Sequence, residues 1–229
     1  TTRGDQLYNF NARNTQYGSL FLPQYAFGYE PEVAAIMDLV IRPDDVIYDV
    51  GSNWGYFSLY ILSKSNFRGT IHAFEPMPET YNDLVSICNQ SPYGDRFKTY
   101  QVAASSRSGG AKMSVFDDIQ SGLARISPNA GSIDVKLLML DEMKLPDPDF
   151  IKLDVESHEE EALKGAKGSI DRSKPIIVFE NWRETSTPHV TLGPFRILEQ
   201  LEYKFFQIAW IAESRAGLYG YSGSPKDAN

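Results

Sequence analysis

The sequence predicts an α/β fold with a mostly parallel central sheet that is closed by an antiparallel hairpin. Three observations lead to this class. Apolar, β-branched runs alternate with segments of helical periodicity, several of those runs end in a carboxylate, and the first run passes through a glycine turn directly into a helix. Strands that alternate with helices form parallel sheets, and ligands of such sheets bind beyond the carboxyl ends of the strands.

Length and composition limit the possible classes of protein. The 229 residues suffice for one α/β domain, and the hydrophobic (42%) and charged (23%) fractions are those of a globular protein. The formal charge of −8 argues against a nucleic-acid partner, because phosphate contacts need a basic face. No apolar run reaches the roughly eighteen residues that span a bilayer. We therefore expect a soluble, cytoplasmic protein.

The chain begins with a segment that has no clear periodicity. Residues 5–30 are rich in Asn, Gln and aromatic residues, which predicts an irregular arm. Its aromatic side chains either anchor the arm to the domain or cover a ligand. Pro31 then opens an amphipathic helix that runs to Val40.

The first strand and its turn are the strongest local signal. The run Val46–Val50 contains Asp49 and leads through a turn with Gly51, Asn53 and Gly55 into a helix. Glycine tolerates positive φ and lets a ligand approach the main chain closely. We expect free N–H groups of the turn and helix to face that ligand. Asp49 would repel a diphosphate but bind the amino group of a zwitterion.

A second strand, residues 70–74, ends at Glu75 and Pro76. Glu75 follows the glycine turn by about twenty residues, where nucleotide-binding α/β folds place the acid that accepts hydrogen bonds from ribose hydroxyls. The turn lacks the three-glycine spacing of the dinucleotide fingerprint. Together with Asp49, this favours S-adenosylmethionine over NAD as the ligand.

The remaining elements follow the same alternation. We expect helices over residues 78–89, 159–167 and 192–202, core strands over 96–103, 150–154 and 175–180, and additional strands over 111–116 and 133–140 around a polar loop, 117–132, near the ligand. Residues 203–211 and 217–221 predict the closing hairpin. Ala103, at the end of the third strand, suits an adenine ring lying flat against the backbone.

Several of these segments resemble the FkbM family of class I S-adenosylmethionine-dependent methyltransferases. The matching pieces are Ile47–Gly55, His72–Pro76, Asp149–Glu156 with Glu159, Leu163–Ala166 and Lys174–Glu180. Ser157 and His158 depart from the family, which has a small pair there, usually Gly-Ala. The resemblance implies a Rossmann-like methyltransferase sandwich, with an arm and cap over residues 1–35, the cofactor-binding domain over 36–221 and a tail over 222–229. Because both ends are polar, we also expect a larger multidomain chain.

The predicted site gathers the residues at the strand ends. The cofactor-binding set is Asp49, Gly51, Asn53, Gly55, Glu75, Ala103 and Asp154. Asp154, Glu180 and Asn181 resemble the magnesium ligands of metal-dependent O-methyltransferases, so Mg²⁺ or Mn²⁺ is one interpretation. The alternative is that these residues orient the acceptor. His158 follows Asp154 at helical spacing, and we assign the two as catalytic, with His158 as the base.

These residues favour an S-adenosylmethionine-dependent O-methyltransferase that acts on a hydroxyl of a sugar, a glycan or a small natural product. Two alternatives remain. One is a non-catalytic nucleotide-binding module, which would have no need of the Asp49 and Glu75 pattern. The other is transfer to nitrogen, which is less favoured because the Asn/Asp-Pro-Pro-Tyr motif is absent after Asp154.

Overall fold

The computed structural model describes residues 7–14, 17, 20, 29–114, 125–126, 131–180, 192–207, 210–212 and 218–220. Its strands are β1 (Val46–Val50), β2 (Thr70–Phe74), β3 (Phe97–Tyr100), β4 (Ala103–Ala104), β5 (Gly109–Ser114), β6 (Arg125–Ile126), β7 (Ile133–Leu138), β8 (Phe150–Leu153), β9 (Ile176–Phe179), β10 (Trp210–Ala212) and β11 (Leu218–Gly220). Its α-helices are α1 (Pro31–Val40), α2 (Tyr56–Leu62), α3 (Pro78–Gln90), α4 (Glu159–Gly165), α5 (Lys167–Ser173) and α6 (Gly193–Gln200). The expected boundary between residues 35 and 36 falls inside α1.

The central sheet has the order β3-β2-β1-β8-β9, and each neighbouring pair is parallel. Apolar residues of α1, α2 and α3 cover one face, and those of α4, α5 and α6 cover the other. Because both faces are covered, β8 is buried along its whole length and its sequence is nearly continuous in apolar residues. The three-layer α/β architecture predicted from the sequence is confirmed.

The prediction of a third strand over residues 96–103 is wrong at the carboxyl end, because the strand ends at Tyr100. The Val102 N–H donates to the Tyr100 carbonyl in a tight turn, 3.0 Å, which redirects the chain. Ala103 and Ala104 then pair in parallel with Leu137 and Leu138 in a second sheet of order β4-β7-β5-β6. The additional strands around residues 111 and 133 belong to this second sheet, and most of the expected polar loop lies outside the described residues.

The closing hairpin is present as the antiparallel pair β10 and β11. Its first strand is shorter than expected, because residues 203–207 are not a strand. Tyr203 is tied back instead: its N–H donates to the Leu198 carbonyl, and its hydroxyl donates to the Pro175 carbonyl. No helix among the described residues has the length and apolar character needed to cross a bilayer.

The described part of the arm is anchored to α3 and to the glycine turn. Asp83 accepts hydrogen bonds from the side-chain amides of Asn11, 3.0 Å, and Asn14, 2.6 Å. Phe10 and Tyr17 both pack against the Trp54 ring. The arm is therefore held where it reaches the carboxyl edge of the sheet.

Candidate active site

A cavity of about 420 Å³ lies at the carboxyl edge of the central sheet. One side, which we call the turn wall, consists of Gly51, Ser52, Asn53 and Glu75 at the ends of β1 and β2. A second group of lining residues, which we call the acid wall, consists of Asp154, Glu156, His158 and Glu180 after β8 and β9. The lining also includes the small residues Ala103 and Ala104. This volume is typical of a small-molecule or cofactor site.

The turn wall is formed by backbone in unusual conformations. Gly51 has φ 77° and Asn53 has φ 51°, both in the left-handed region. A Cβ at residue 51 would overlap the Asp154 carbonyl oxygen. The amides of residues 51–55 all donate within the protein, to Phe74, Glu75, Asn53 and Ser52 acceptors. The turn therefore lines the cavity with main chain whose amides are already paired, and not with the free donors expected from the sequence.

Glu75 is fixed by the backbone around it. One carboxylate oxygen accepts from the Asn53 N–H, 3.1 Å, and the other accepts from the Met77 N–H, 2.9 Å. Burial raises the pKa of Glu75 to about 7, although these two amides act to lower it. Each carboxylate oxygen has two acceptor positions, so one on each oxygen is available to a ligand.

Two of the predicted cofactor-binding residues lie behind the cavity wall in the structure. Asp49 is 2% exposed and accepts a hydrogen bond from the Ser58 hydroxyl, 2.7 Å, which ties α2 to β1. A Cβ at Gly55 would lie 2.8 Å from the Leu84 side chain, so this glycine serves close packing against α3. Both residues support the turn from behind and do not line the cavity.

The acid wall brings together three carboxylates. Oxygen atoms of Asp154, Glu156 and Glu180 lie within 4.8 Å of one another. The sequence interpretation named Asp154 and Glu180 but missed Glu156, although the Asp-x-Glu pattern after β8 was a visible signal. Asn181 lies outside the described residues. Three carboxylate oxygens at this spacing fit a hard divalent cation.

A buried cation lies beside these acids. Lys152, in β8, places its Nζ 3.1 Å from the Asp154 Oδ2, and its side chain is 6% exposed. Burial by itself would lower the pKa of Lys152, but the carboxylates of Asp154, Asp49 and Glu30 together raise it. Lys152 was not predicted as a site residue, although a lysine inside an otherwise apolar strand is a visible signal in the sequence. Glu30, which also lines the cavity, was not predicted as a site residue, because no motif in the aromatic arm indicates it.

His158 is held at the start of α4 and lines the cavity. One ring nitrogen, Nε2, lies 3.1 Å from the Ser105 hydroxyl. Burial lowers the pKa of His158, while the Glu161 carboxylate acts in the opposite direction. The preceding loop is fixed by Glu159, whose carboxylate accepts from the N–H groups of Val155 and Ser157. A neutral imidazole at this position is able to accept a proton.

The fold and the cavity together define a class I methyltransferase-type α/β protein. The chain belongs to the family described as the methyltransferase FkbM domain, whose family model matches residues 46–205. The methyltransferase FkbM from Methylobacillus flagellatus KT is similar in structure, with a TM-score of 0.57 and 18% identity over 86% of this chain and 49% of that one. At this identity, the likeness shows the fold alone.

Two curated proteins are similar in sequence. The hexuronic acid methyltransferase AglP from Haloferax volcanii is 30% identical over 153 residues, which are 65% of this chain and 61% of AglP. The AMB antimetabolite synthetase AmbE from Pseudomonas aeruginosa is 36% identical over 74 residues, 32% of this chain and 3% of AmbE. The chain thus spans less than two thirds of the length of either protein.

Proposed function

We propose that this chain transfers a methyl group from S-adenosylmethionine to a hydroxyl oxygen of a sugar, a glycan or a small natural product. The observation that carries the proposal is Glu75, which is fixed by two backbone donors beside the glycine turn and faces the cavity. Membership of the methyltransferase family supports the reaction type. The hexuronic acid named for AglP supports a sugar acceptor.

The turn wall fits the adenosyl part of this cofactor. The free acceptor positions of Glu75 match the two donors of a ribose, and charge-assisted hydrogen bonds of this kind are strong. The left-handed backbone of Gly51 and Asn53 forms a tight turn that lines the cavity, so a ligand meets main chain there. Ala103 and Ala104 offer a small-residue surface to a flat ring.

The acid wall fits the acceptor side. When bound, S-adenosylmethionine supplies an activated methyl group, which the acceptor oxygen takes with release of S-adenosylhomocysteine and the hydroxyl proton. Alignment of the two reactants accounts for most of the catalysis in such a displacement. Asp154 would hold the acceptor by accepting a hydrogen bond from a hydroxyl. His158, neutral and lining the cavity, would accept the proton.

A divalent cation is a second route to the same chemistry. Asp154, Glu156 and Glu180 would hold Mg²⁺ or Mn²⁺ through carboxylate oxygens, with Asn181 as a further ligand expected from the sequence. Such an ion would acidify an acceptor hydroxyl. The Lys152 ammonium group already pairs with one Asp154 oxygen, which favours the metal-free route. Activity that disappears in chelator and returns with added metal would establish the cation.

The experiment that tests the function is a screen of methyl transfer from labelled S-adenosylmethionine to neutral sugars, uronic acids, glycans, phenols and peptides. Calorimetry with S-adenosylhomocysteine is run in parallel. We expect binding and transfer to at least one hydroxyl compound. Transfer to a peptide nitrogen but to no hydroxyl would refute the oxygen acceptor. Binding of S-adenosylhomocysteine without transfer to any acceptor would favour the non-catalytic module.

A further inference from the structure

We propose that Lys152 is the positioning residue of the acid wall: its buried ammonium group holds the Asp154 carboxylate at the cavity and faces the Asp49 carboxyl behind it. This inference rests on the proposed function for its activity measurements. Lys152 lines the same cavity, but its ammonium group is engaged by Asp154, so we assign it an action through that carboxylate.

The geometry of the sheet places these three residues together. Lys152 lies directly opposite Asp49 on the neighbouring parallel strand, so the two side chains leave the sheet on the same face. Asp154 follows two residues later along the same strand direction, and its Oδ2 lies 3.1 Å from the Lys152 Nζ. The ammonium group is therefore positioned between a carboxylate in the sheet and a carboxylate at the cavity.

Because Lys152 and Asp49 are both buried, substitution of either residue should strongly affect the other. A buried charge costs several kcal/mol unless partners compensate it. Asp49 uses one carboxylate oxygen to accept from Ser58, and its Oδ1 has no hydrogen-bond partner among the described residues. The Lys152 charge is thus its electrostatic partner. The Phe57 ring lies 5.3 Å from the ammonium group and restricts its position from a further side.

The functional consequence concerns the orientation of Asp154. With Oδ2 held by Lys152, the carboxylate plane is fixed and Oδ1 remains for a ligand in the cavity. Among the described residues, Lys152 is the group that donates to the Asp154 side chain, and without it the neighbouring acids would repel that carboxylate unopposed. A shift of about 1 Å in a positioning group can cost about 100-fold in rate.

The test compares Lys152→Met, Lys152→Arg, Asp154→Asn and the double variant Lys152→Met/Asp154→Asn. The matched control is Lys112→Met, since Lys112 is also a strand lysine with a carboxylate, Asp134, at 3.0 Å, but is exposed. We expect Lys152→Met to lower kcat about 100-fold while the affinity for S-adenosylhomocysteine changes little. Lys152→Arg should recover part of that loss, and Lys112→Met should behave as the wild type.

The double variant gives the decisive result. If Lys152 acts through Asp154, Lys152→Met/Asp154→Asn has the same kcat as Asp154→Asn alone. Losses of kcat that multiply across the two substitutions would overturn the proposal, as would an unchanged kcat in Lys152→Met.

A further variant separates positioning from folding. Lys152→Met leaves the buried Asp49 carboxyl without the cation that opposes the burial-driven rise of its pKa. Lys152→Met/Asp49→Asn replaces that carboxyl by a neutral amide and should recover the melting temperature but not kcat. Recovery of kcat in that variant would show that Lys152 only compensates Asp49.

If the wild type methylates no acceptor, the proposed function fails. The double-mutant cycle of Lys152→Met and Asp154→Asn is then measured by chemical denaturation. Non-additive midpoints for Lys152 and Asp154 would then support the pairing, and additive midpoints would overturn it.

Discussion

The two walls of the cavity are built in different ways. The turn wall is held by backbone: the amides of residues 51–55 all donate within the protein, and Glu75 is fixed by two N–H groups. The acid wall is held by side chains from separate elements, with Lys152 behind Asp154, Ser105 beside His158 and Glu159 beneath the loop that joins them. One wall depends on main-chain conformation and the other on particular side chains.

This difference predicts how the walls respond to substitution. Backbone geometry is common to many sequences, so the turn wall suits a ligand that the whole family shares. Side-chain geometry changes with single residues, and this chain has Ser157 and His158 where the family usually has a small pair. The acid wall is therefore the side on which we expect acceptor preference to vary.

The largest effect is expected for Gly51→Ala. The added Cβ would overlap the Asp154 carbonyl oxygen, and φ is 77° at this position. We expect a loss of stability of more than about 4 kcal/mol, which is most of the stability of a domain at the low end of the ordinary range. Thermal and chemical denaturation measure it. Gly110→Ala is the control, since nothing lies within 4 Å of a Cβ there. A Gly51→Ala variant as stable as the control would show that the turn is not constrained by backbone.

Glu75→Ala should be the most damaging side-chain substitution on the turn wall. Loss of the carboxylate that accepts from two ribose hydroxyls would cost about 2–4 kcal/mol of S-adenosylhomocysteine affinity. Calorimetry gives the change in Kd. Glu79→Ala, an exposed acid in the first turn of α3, is the control. Retained affinity in Glu75→Ala would remove the ribose role.

The raised pKa of Glu75 predicts opposite pH trends for folding and binding. Burial raises this pKa to about 7, so the folded protein favours the protonated acid. The contribution of Glu75 to the free energy of unfolding is therefore fully present below the ordinary pKa of 4.5. That stability, roughly 3 kcal/mol, is lost as pH rises from 4.5 through about 7. Affinity for S-adenosylhomocysteine should rise over the same range, because the ionised carboxylate is the better acceptor. Melting curves and calorimetry from pH 5 to 8 test both trends, and Glu75→Gln should flatten them.

On the acid wall, His158→Gln should affect rate and not cofactor binding. Glutamine keeps a partner for the Ser105 hydroxyl but cannot act as a base, so we expect kcat to fall about 100-fold. The Kd of S-adenosylhomocysteine should stay within about twofold of the wild type. Equal losses in both quantities would mean that His158 holds the fold of the site. An unchanged kcat would remove it from the mechanism.

The smallest effect is expected for the arm. Asp83→Ala removes the acceptor of both the Asn11 and Asn14 amides, which should cost about 1–2 kcal/mol of stability. Because Phe10 and Tyr17 pack on Trp54 in the turn, S-adenosylhomocysteine affinity should fall slightly as well. Melting curves and calorimetry measure the two changes. An effect on the acid wall alone, seen as a lower kcat with unchanged affinity, would contradict this placement of the arm.

The sequence predicted the parts of the molecule that depend on local patterns. The bounds of α1 and of the strand that precedes the glycine turn match the structure, and Glu75 lies where its spacing places it. The break after Tyr100 was not predictable, because it depends on pairing with Leu137, which is distant in sequence. The sequence also did not indicate that the Asp49 side chain would be buried against Ser58, because that contact depends on how α2 packs on the sheet.

The contact between Gly51 and the Asp154 carbonyl has a consequence for how members of such a family diversify. Because the backbone of residue 51 touches the backbone of residue 154, the distance between the two walls is fixed at this point. Exchange of residues 155–158 would alter the contacts that the acid wall offers to an acceptor, while the distance between the two walls would stay the same. A substitution at residue 51 would change the distance between the turn wall and the acid wall, whichever acceptor is bound. New acceptors are therefore expected to arise from exchanges in the short loop after β8, with the glycine retained.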